Sequence, residues 1–217
     1  LYGLSAPPHP GWGVFVCFSP LWYFWINTRL WRDFFVSAIC FQLTMNLLIF
    51  NWVGAGAAAF GGFSPNVNFA ILFCFSLVNS LHFLFAGIAV ILLMRRQFVN
   101  IRGALLLLPL ITVFLEITLA SIFKASPYAS FINSNSQIIQ ISEFVGANGI
   151  SLLIYGINAF FVLLYLNPKP KTVVGGFAGL ILTFGALELF GTWLGHHTLP
   201  TDRQMTVAMI QTNLEGD

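Results

Sequence analysis

Few side chains in this sequence are able to do chemistry, and nearly all of them stand in apolar surroundings. Glu116 is the one charge inside the run Gly103–Phe123. A carboxylate at bilayer depth costs about 2.5–3.5 kcal/mol on insertion scales, so it is kept either for function or as a hydrogen-bonded group that fixes helix packing. The sequence leaves both readings open, and Glu188 poses the same question nearer the end of a later run. Glu143 follows Ser142 and precedes Val145-Gly-Ala-Asn-Gly149, where a carboxylate meets the positive end of a starting helix. Lys124 opens a polar loop through Ser126-Pro-Tyr128 and Asn133–Gln137. A lysine there either meets a lipid phosphate as a point charge or snorkels to the membrane edge. Trp52, Tyr128 and Trp193 suit interfacial anchors.

The remaining candidates read as packing. His82 has no acidic neighbour at helical spacing. Cys17, Cys40 and Cys74 lie in apolar runs, with neither disulfide-framework nor zinc-ligand spacing. A nucleophilic thiolate wants an electropositive setting that these runs do not offer, and such cysteines behave as small hydrophobes. There is no phosphate-binding loop, no dinucleotide turn, no HExxH and no Ser/His/Asp set in plausible context. The residues contain no complete catalytic constellation, and no metal or cofactor is expected.

The elements that carry these residues follow from composition. Of 217 residues, 58% are apolar and 7% charged, where an ordinary soluble domain has roughly a quarter charged. That excludes a soluble globular enzyme, a disordered chain and a nucleic-acid binder that needs a basic face. No Lys, Arg, Asp or Glu occurs between Asp33 and Arg95, a gap holding the apolar runs Phe34–Ala57 and Asn68–Met94. Further runs are Gly103–Phe123, Val145–Leu166 and Val173–Leu194, with an aromatic-rich first run near Gly11–Ile26. About 20 residues cross a bilayer as a helix, and lipid offers no partners to an open strand edge. The fold class expected is therefore an all-α polytopic membrane protein with about six transmembrane helices.

Sidedness comes from the loops. Arg29, Arg32, Arg95, Arg96, Arg102, Lys169 and Lys171 fall in alternate connections, leaving Lys124 and Arg203 for the other side. The positive-inside rule makes the richer side cytoplasmic. The loops 58–67 and 124–144 and everything after Leu194 then face outward. Residues 195–204 make a turn-rich hinge, and Met205-Thr-Val-Ala-Met-Ile-Gln211 suits a buried strand too short to span as a helix. The expected organisation is a transmembrane domain over 1–194, the hinge, and the truncated start of an α/β domain over 205–217. The chain reads as a fragment at both ends. The glycines Gly175, Gly176 and Gly179 read as close helix packing in the last span.

Five segments, in order, resemble the membrane half of bacterial apolipoprotein N-acyltransferases. They are Leu4-Ser-Ala-Pro-Pro8 through Trp12 with Pro20-Leu21, and Asn51-Trp52 followed by Phe60-Gly-Gly-Phe-Ser-Pro65. Next come Pro109 with Glu116 and Pro127-Tyr128, then Gln137–Glu143 with Gly146, Gly149, Ser151 and Asn158. Last, Thr206-Val-Ala-Met-Ile-Gln-Thr-Asn-Leu214 is similar to the first strand of that family's nitrilase-like domain. The sequence departs from the pattern at Leu119, where the family commonly has Arg, and at Tyr128, where it has Trp.

The resemblance implies a bacterial inner-membrane enzyme whose soluble domain faces the periplasm. It moves an acyl chain from a phospholipid, through a cysteine thioester, to the diacylglyceryl-cysteine of an apolipoprotein. The catalytic Cys, Glu and Lys would lie beyond Asp217, so none is assigned here, and no nucleic-acid partner is implied. Trp52, Glu116, Lys124, Pro127 and Tyr128 are the candidate substrate-binding rim by resemblance and position. Two rivals stand beside this reading: a transporter or lipid permease component coupled through Glu116 and Glu188, and a non-catalytic membrane anchor.

Overall fold

The computed structural model describes residues 11–50, 53, 54, 56, 60–79, 81–119 and 140–197. Trp52, Lys124, Pro127, Tyr128 and the expected strand at 205–211 lie outside the described residues. A 3-10 turn, Gly11–Phe15, leads into helix α1, Ser19–Asn27. Helix α2 runs over Trp31–Ile49. Helices α3, Pro65–Asn79, and α4, Leu81–Arg95, fall together within one candidate span, Pro65–Arg95. Helix α5 is Ile101–Thr118, α6 is Ser142–Leu166 and α7 is Pro170–His197.

Among the described residues, five helical segments are long and apolar enough to cross a membrane, and Gly13–Asn27 is a shorter apolar sixth. Among the described residues there is no strand. The chain is an all-α polytopic membrane protein, as the run lengths and the missing charges require. Large side chains such as Phe114, Leu182 and Leu189 stand 64%, 72% and 75% exposed, which is sustainable only where the surroundings are lipid. Helix α7 continues to His197, past the expected domain boundary at Leu194.

The short helix α1 is the hub, touching α2, α4, α5 and α6. Its Phe18 and Trp22 are wholly buried, and Phe18 stacks on Phe83 of α4 with ring centroids 5.0 Å apart. Tyr155 of α6 closes this aromatic core, edge-on to Phe18 and Phe83 at 5.5 Å each. Gly87 lets α4 approach: a Cβ there would lie 2.7 Å from the Phe34 ring and 2.8 Å from the Trp25 ring. Helix α7 is the outlier. It packs on α6 and sets Phe184 edge-on to Phe15 with ring centroids 5.1 Å apart, but no residue of its most apolar stretch is fully buried.

Polar side chains join the helices where lipid would leave backbone groups unanswered. Gln42 and Asn46 of α2 donate to the Ser76 carbonyl of α3, at 3.0 and 3.4 Å, and Asn79 donates to Asn46 Oδ1 at 3.0 Å. At the end bearing the basic loops, Arg95 donates to the Arg29 carbonyl at 2.6 Å and lies 4.3 Å over the Trp31 ring. The connections after α1 and after α4 therefore meet on one side of the bundle.

Two expectations about packing come out differently. Cys17 is buried, but Cys40 and Cys74 face outward from the bundle. Gly175 and Gly179 have nothing within 4 Å of where a Cβ would stand, so they do not serve close helix contact. Gly176 alone of that trio packs tightly, against Leu164 and Phe160 of α6. Periodic small residues mark a face that permits approach, and here the neighbouring helix does not use most of it.

Candidate functional site

Glu116 is positioned by helix α5, which starts cleanly because Asn100 accepts from the Gly103 N–H at 2.8 Å. Pro109 inside the helix removes one backbone donor, and one turn later Thr112 donates back to the Leu108 carbonyl at 2.6 Å. Leu108, Thr112 and Glu116 are four residues apart and so form one ridge of α5. Leu108 and Thr112 are buried, and Glu116 is half-buried at the outer margin of the same ridge. That ridge meets α6.

On α6 the answering residues are Ser151, Tyr155 and Asn158, at i, i+4 and i+7, all with no exposed surface. Ser151 Oγ donates to Glu116 Oε1 at 3.3 Å, and Tyr155 Oη donates to Glu116 Oε2 at 3.3 Å. Both distances are long for hydroxyl donors. These two hydroxyls orient the carboxylate from α6. Through Tyr155 it is tied to the aromatic core around Phe18.

Asn158 does a different job on the same face. Its Oδ1 accepts from the Phe18 N–H at 2.9 Å and the Ser19 N–H at 3.1 Å, while its Nδ2 donates to the Val14 and Ile154 carbonyls at 2.9 Å each. The first amides of a helix have no intrahelical acceptor, and α1 has no side-chain cap of its own. Asn158 supplies that cap from another helix.

The start of α6 is bent. Gly146 has φ 67° and ψ 176° inside the helix, a conformation that only glycine adopts without strain. Glu143 lies in the first turn, before the bend, where a carboxylate complements the helix end. His82 is buried beside Phe83, with ring centroids 4.8 Å apart, in keeping with a packed histidine.

Of the five rim candidates, Glu116 is within the described residues, and Trp52, Lys124, Pro127 and Tyr128 are not. Tyr155 was missed by the sequence reading, and Ser151 and Asn158 entered it only through the resemblance. A usable signal existed: three hydrogen-bonding residues at i, i+4 and i+7 in an otherwise apolar run share one helix face. Among the described residues, no three His, Cys, Asp or Glu side chains gather to hold a metal. The arrangement can hold and orient a carboxylate at a helix seam.

Comparison with known proteins adds a family. The chain is 26% identical to an apolipoprotein N-acyltransferase of Bdellovibrio bacteriovorus over 217 residues, covering 99% of this chain and 40% of that relative. The chain thus spans well under half the length of the protein it matches. No solved structure matches it. A sequence model of the apolipoprotein N-acyltransferase N-terminal domain matches residues 1–160, the stretch holding both halves of the Glu116 seam, and the chain belongs to that family.

Proposed function

We propose that this chain is the membrane part of an enzyme that transfers an acyl chain from a phospholipid to the N-terminal diacylglyceryl-cysteine of a lipoprotein. In the complete protein a cysteine thiolate attacks the ester carbonyl of the lipid and the lysolipid leaves as an alcohol. The resulting thioester then passes its acyl group to the lipoprotein's α-amine, which loses a proton, and the thiol is regenerated. That cysteine, with a Glu base and an oxyanion-stabilising Lys, belongs to a nitrilase-like domain that follows the membrane helices. Residues 205–217 are assigned to the start of that domain. The enzyme sits in a bacterial inner membrane with seven basic loop residues inside and the nitrilase-like domain in the periplasm.

The observation that carries this reading is the Glu116 carboxylate, half-buried at the α5–α6 seam and oriented by Ser151 and Tyr155. It lies eight residues before Lys124 in sequence, at the end of α5 that leads to Pro127 and Tyr128. With Trp52, these residues form a rim at which a bilayer lipid presents its ester bond to the domain above. Gln42, Asn46 and Asn79 form one cluster that joins α2 to α3, and Asn158 caps α1; these structural uses of the amides lead us to prefer acyl transfer to a carrier.

The test uses the complete protein in a bacterial strain depleted of its own transferase, reading the mass of a reporter lipoprotein's N-terminal peptide. Wild type yields the triacylated peptide; its absence at normal protein level would refute the function. Glu116→Gln lowers the triacylated fraction about tenfold, a loss of about 1.4 kcal/mol of transition-state stabilisation at the rim. An unchanged fraction in that variant would remove Glu116 from the rim.

A further inference from the structure

Between α6 and α7 lies a cleft of about 640 Å³ with almost wholly apolar walls. Gly156 of α6 and Gly175 and Gly179 of α7 line it and leave it open, while Leu153, Phe160 and Leu180 form its sides. At one end stands the connection Asn167-Pro-Lys-Pro-Lys171, where two prolines fix the backbone beside two exposed lysines. Lys171 lies in the first turn of α7 and is four residues before Gly175 and eight before Gly179, so it heads the ridge that lines the cleft.

We infer that this cleft is a binding site for one membrane phospholipid, drawn from the leaflet on the side of Lys169 and Lys171. The acyl chain lies along the glycine ridge, and the phosphate meets the two lysines. Three observations select this occupant. The first turn of α7 holds a lysine and no acidic residue, so cations stand at the positive end of a helix dipole, an electrostatic excess that an anion relieves. From Lys171 to Thr183 the helix rises about 18 Å, close to the roughly 15 Å depth of one leaflet's hydrocarbon. A methylene fills about as much space as a water, about 30 Å³, so the cleft takes about twenty of them, one long chain. A second helix, about 10 Å across, would need more room over the same length. The site is separate from the Glu116 seam and does not depend on the acyl-transfer reading.

The experiment purifies the full chain in mild detergent and counts retained phospholipid by native mass spectrometry, with helicity checked by circular dichroism. Wild type keeps one phosphate-bearing lipid per chain. Gly175→Leu with Gly179→Leu fills the cleft and removes it. Lys169→Gln with Lys171→Gln lowers its retention about thirtyfold, from the attraction of each juxtamembrane lysine for anionic lipid. Gly185→Leu, at an exposed position outside the cleft, leaves retention unchanged. Wild type without lipid, or equal retention in all variants, overturns the site. A wild-type mass of two chains that the glycine variants return to one would show a helix seam between copies instead. Wild type in nanodiscs with a phospholipid carrying a photoreactive chain gives a reading free of substitutions. Labelling concentrates at 153–160 and 175–183; labelling no stronger there than at the exposed Leu110 and Phe114 overturns the proposal.

Discussion

Asn158 uses both ends of its amide on backbone from other turns and other helices, so its removal is felt at α1 rather than where it is attached. Asn158→Ala takes an acceptor from the Phe18 N–H, one of two acceptors from the Ser19 N–H, and one donor from the Val14 carbonyl. The expected loss is about 2–4 kcal/mol, several interhelical bonds of about 1 kcal/mol each, read as an earlier transition in a detergent-titrated unfolding curve. A transition at the wild-type position would mean that α1 is capped by something else. Glu116 behaves differently: its bonds to Ser151 and Tyr155 are long, and the amide of Glu116→Gln keeps an oxygen to accept one of them, so the same curve should shift by less than about 1 kcal/mol. Depth in an apolar run singled out Glu116 from the sequence alone. Its partners were hidden because spacing tells which residues of α6 share a face, and not which helix that face meets.

At the scale of elements, the spans were legible because basic residues are confined to their ends. The expected run Val145–Leu166 and the observed helix Ser142–Leu166 differ by three residues at one end only. The role of α1 was not legible. A run of aromatic residues looks the same whether it faces lipid or, as here, forms the hub of four other helices. The glycines were ambiguous for a similar reason, since only a facing neighbour separates a packing glycine from a cleft-lining one. Gly87 is of the first kind, between two buried aromatic rings. Gly87→Ala forces α4 away from Phe34 and Trp25 and should cost about 1–3 kcal/mol in the same unfolding assay. Gly175→Ala, with open space around it, should cost nothing measurable. Gly146→Ala meets no neighbour either, yet strains the backbone at φ 67° and should cost about 1–3 kcal/mol.

For the whole molecule, the prediction concerns sidedness. A reporter enzyme active only in the periplasm, fused after residue 197, should be active, and one fused in the connection at 167–169 should be silent. Replacing Arg95, Arg96 and Arg102 by Gln should give mixed activity at both sites, because three of the seven orienting charges are lost. Uniform wild-type activity in that variant would shift the orienting role to Arg29 and Arg32. Arg95 has a second part to play, since it also pins the connection after α1 through the Arg29 carbonyl and Trp31. Chain orientation and bundle closure thus share a residue, which charge counting alone does not reveal.

The cap on α1 also sets a clock. Phe18 and the asparagine that receives its amide are 140 residues apart, which at about 5–20 residues per second is roughly seven to twenty-eight seconds of synthesis. Through that interval the opening segment has left the ribosome but lacks the partner that completes it. Biogenesis must therefore shelter it, at the insertion machinery or the headgroup layer, until α6 arrives. Nascent chains stalled before position 158 should be cleared by membrane quality control faster than chains stalled just after it.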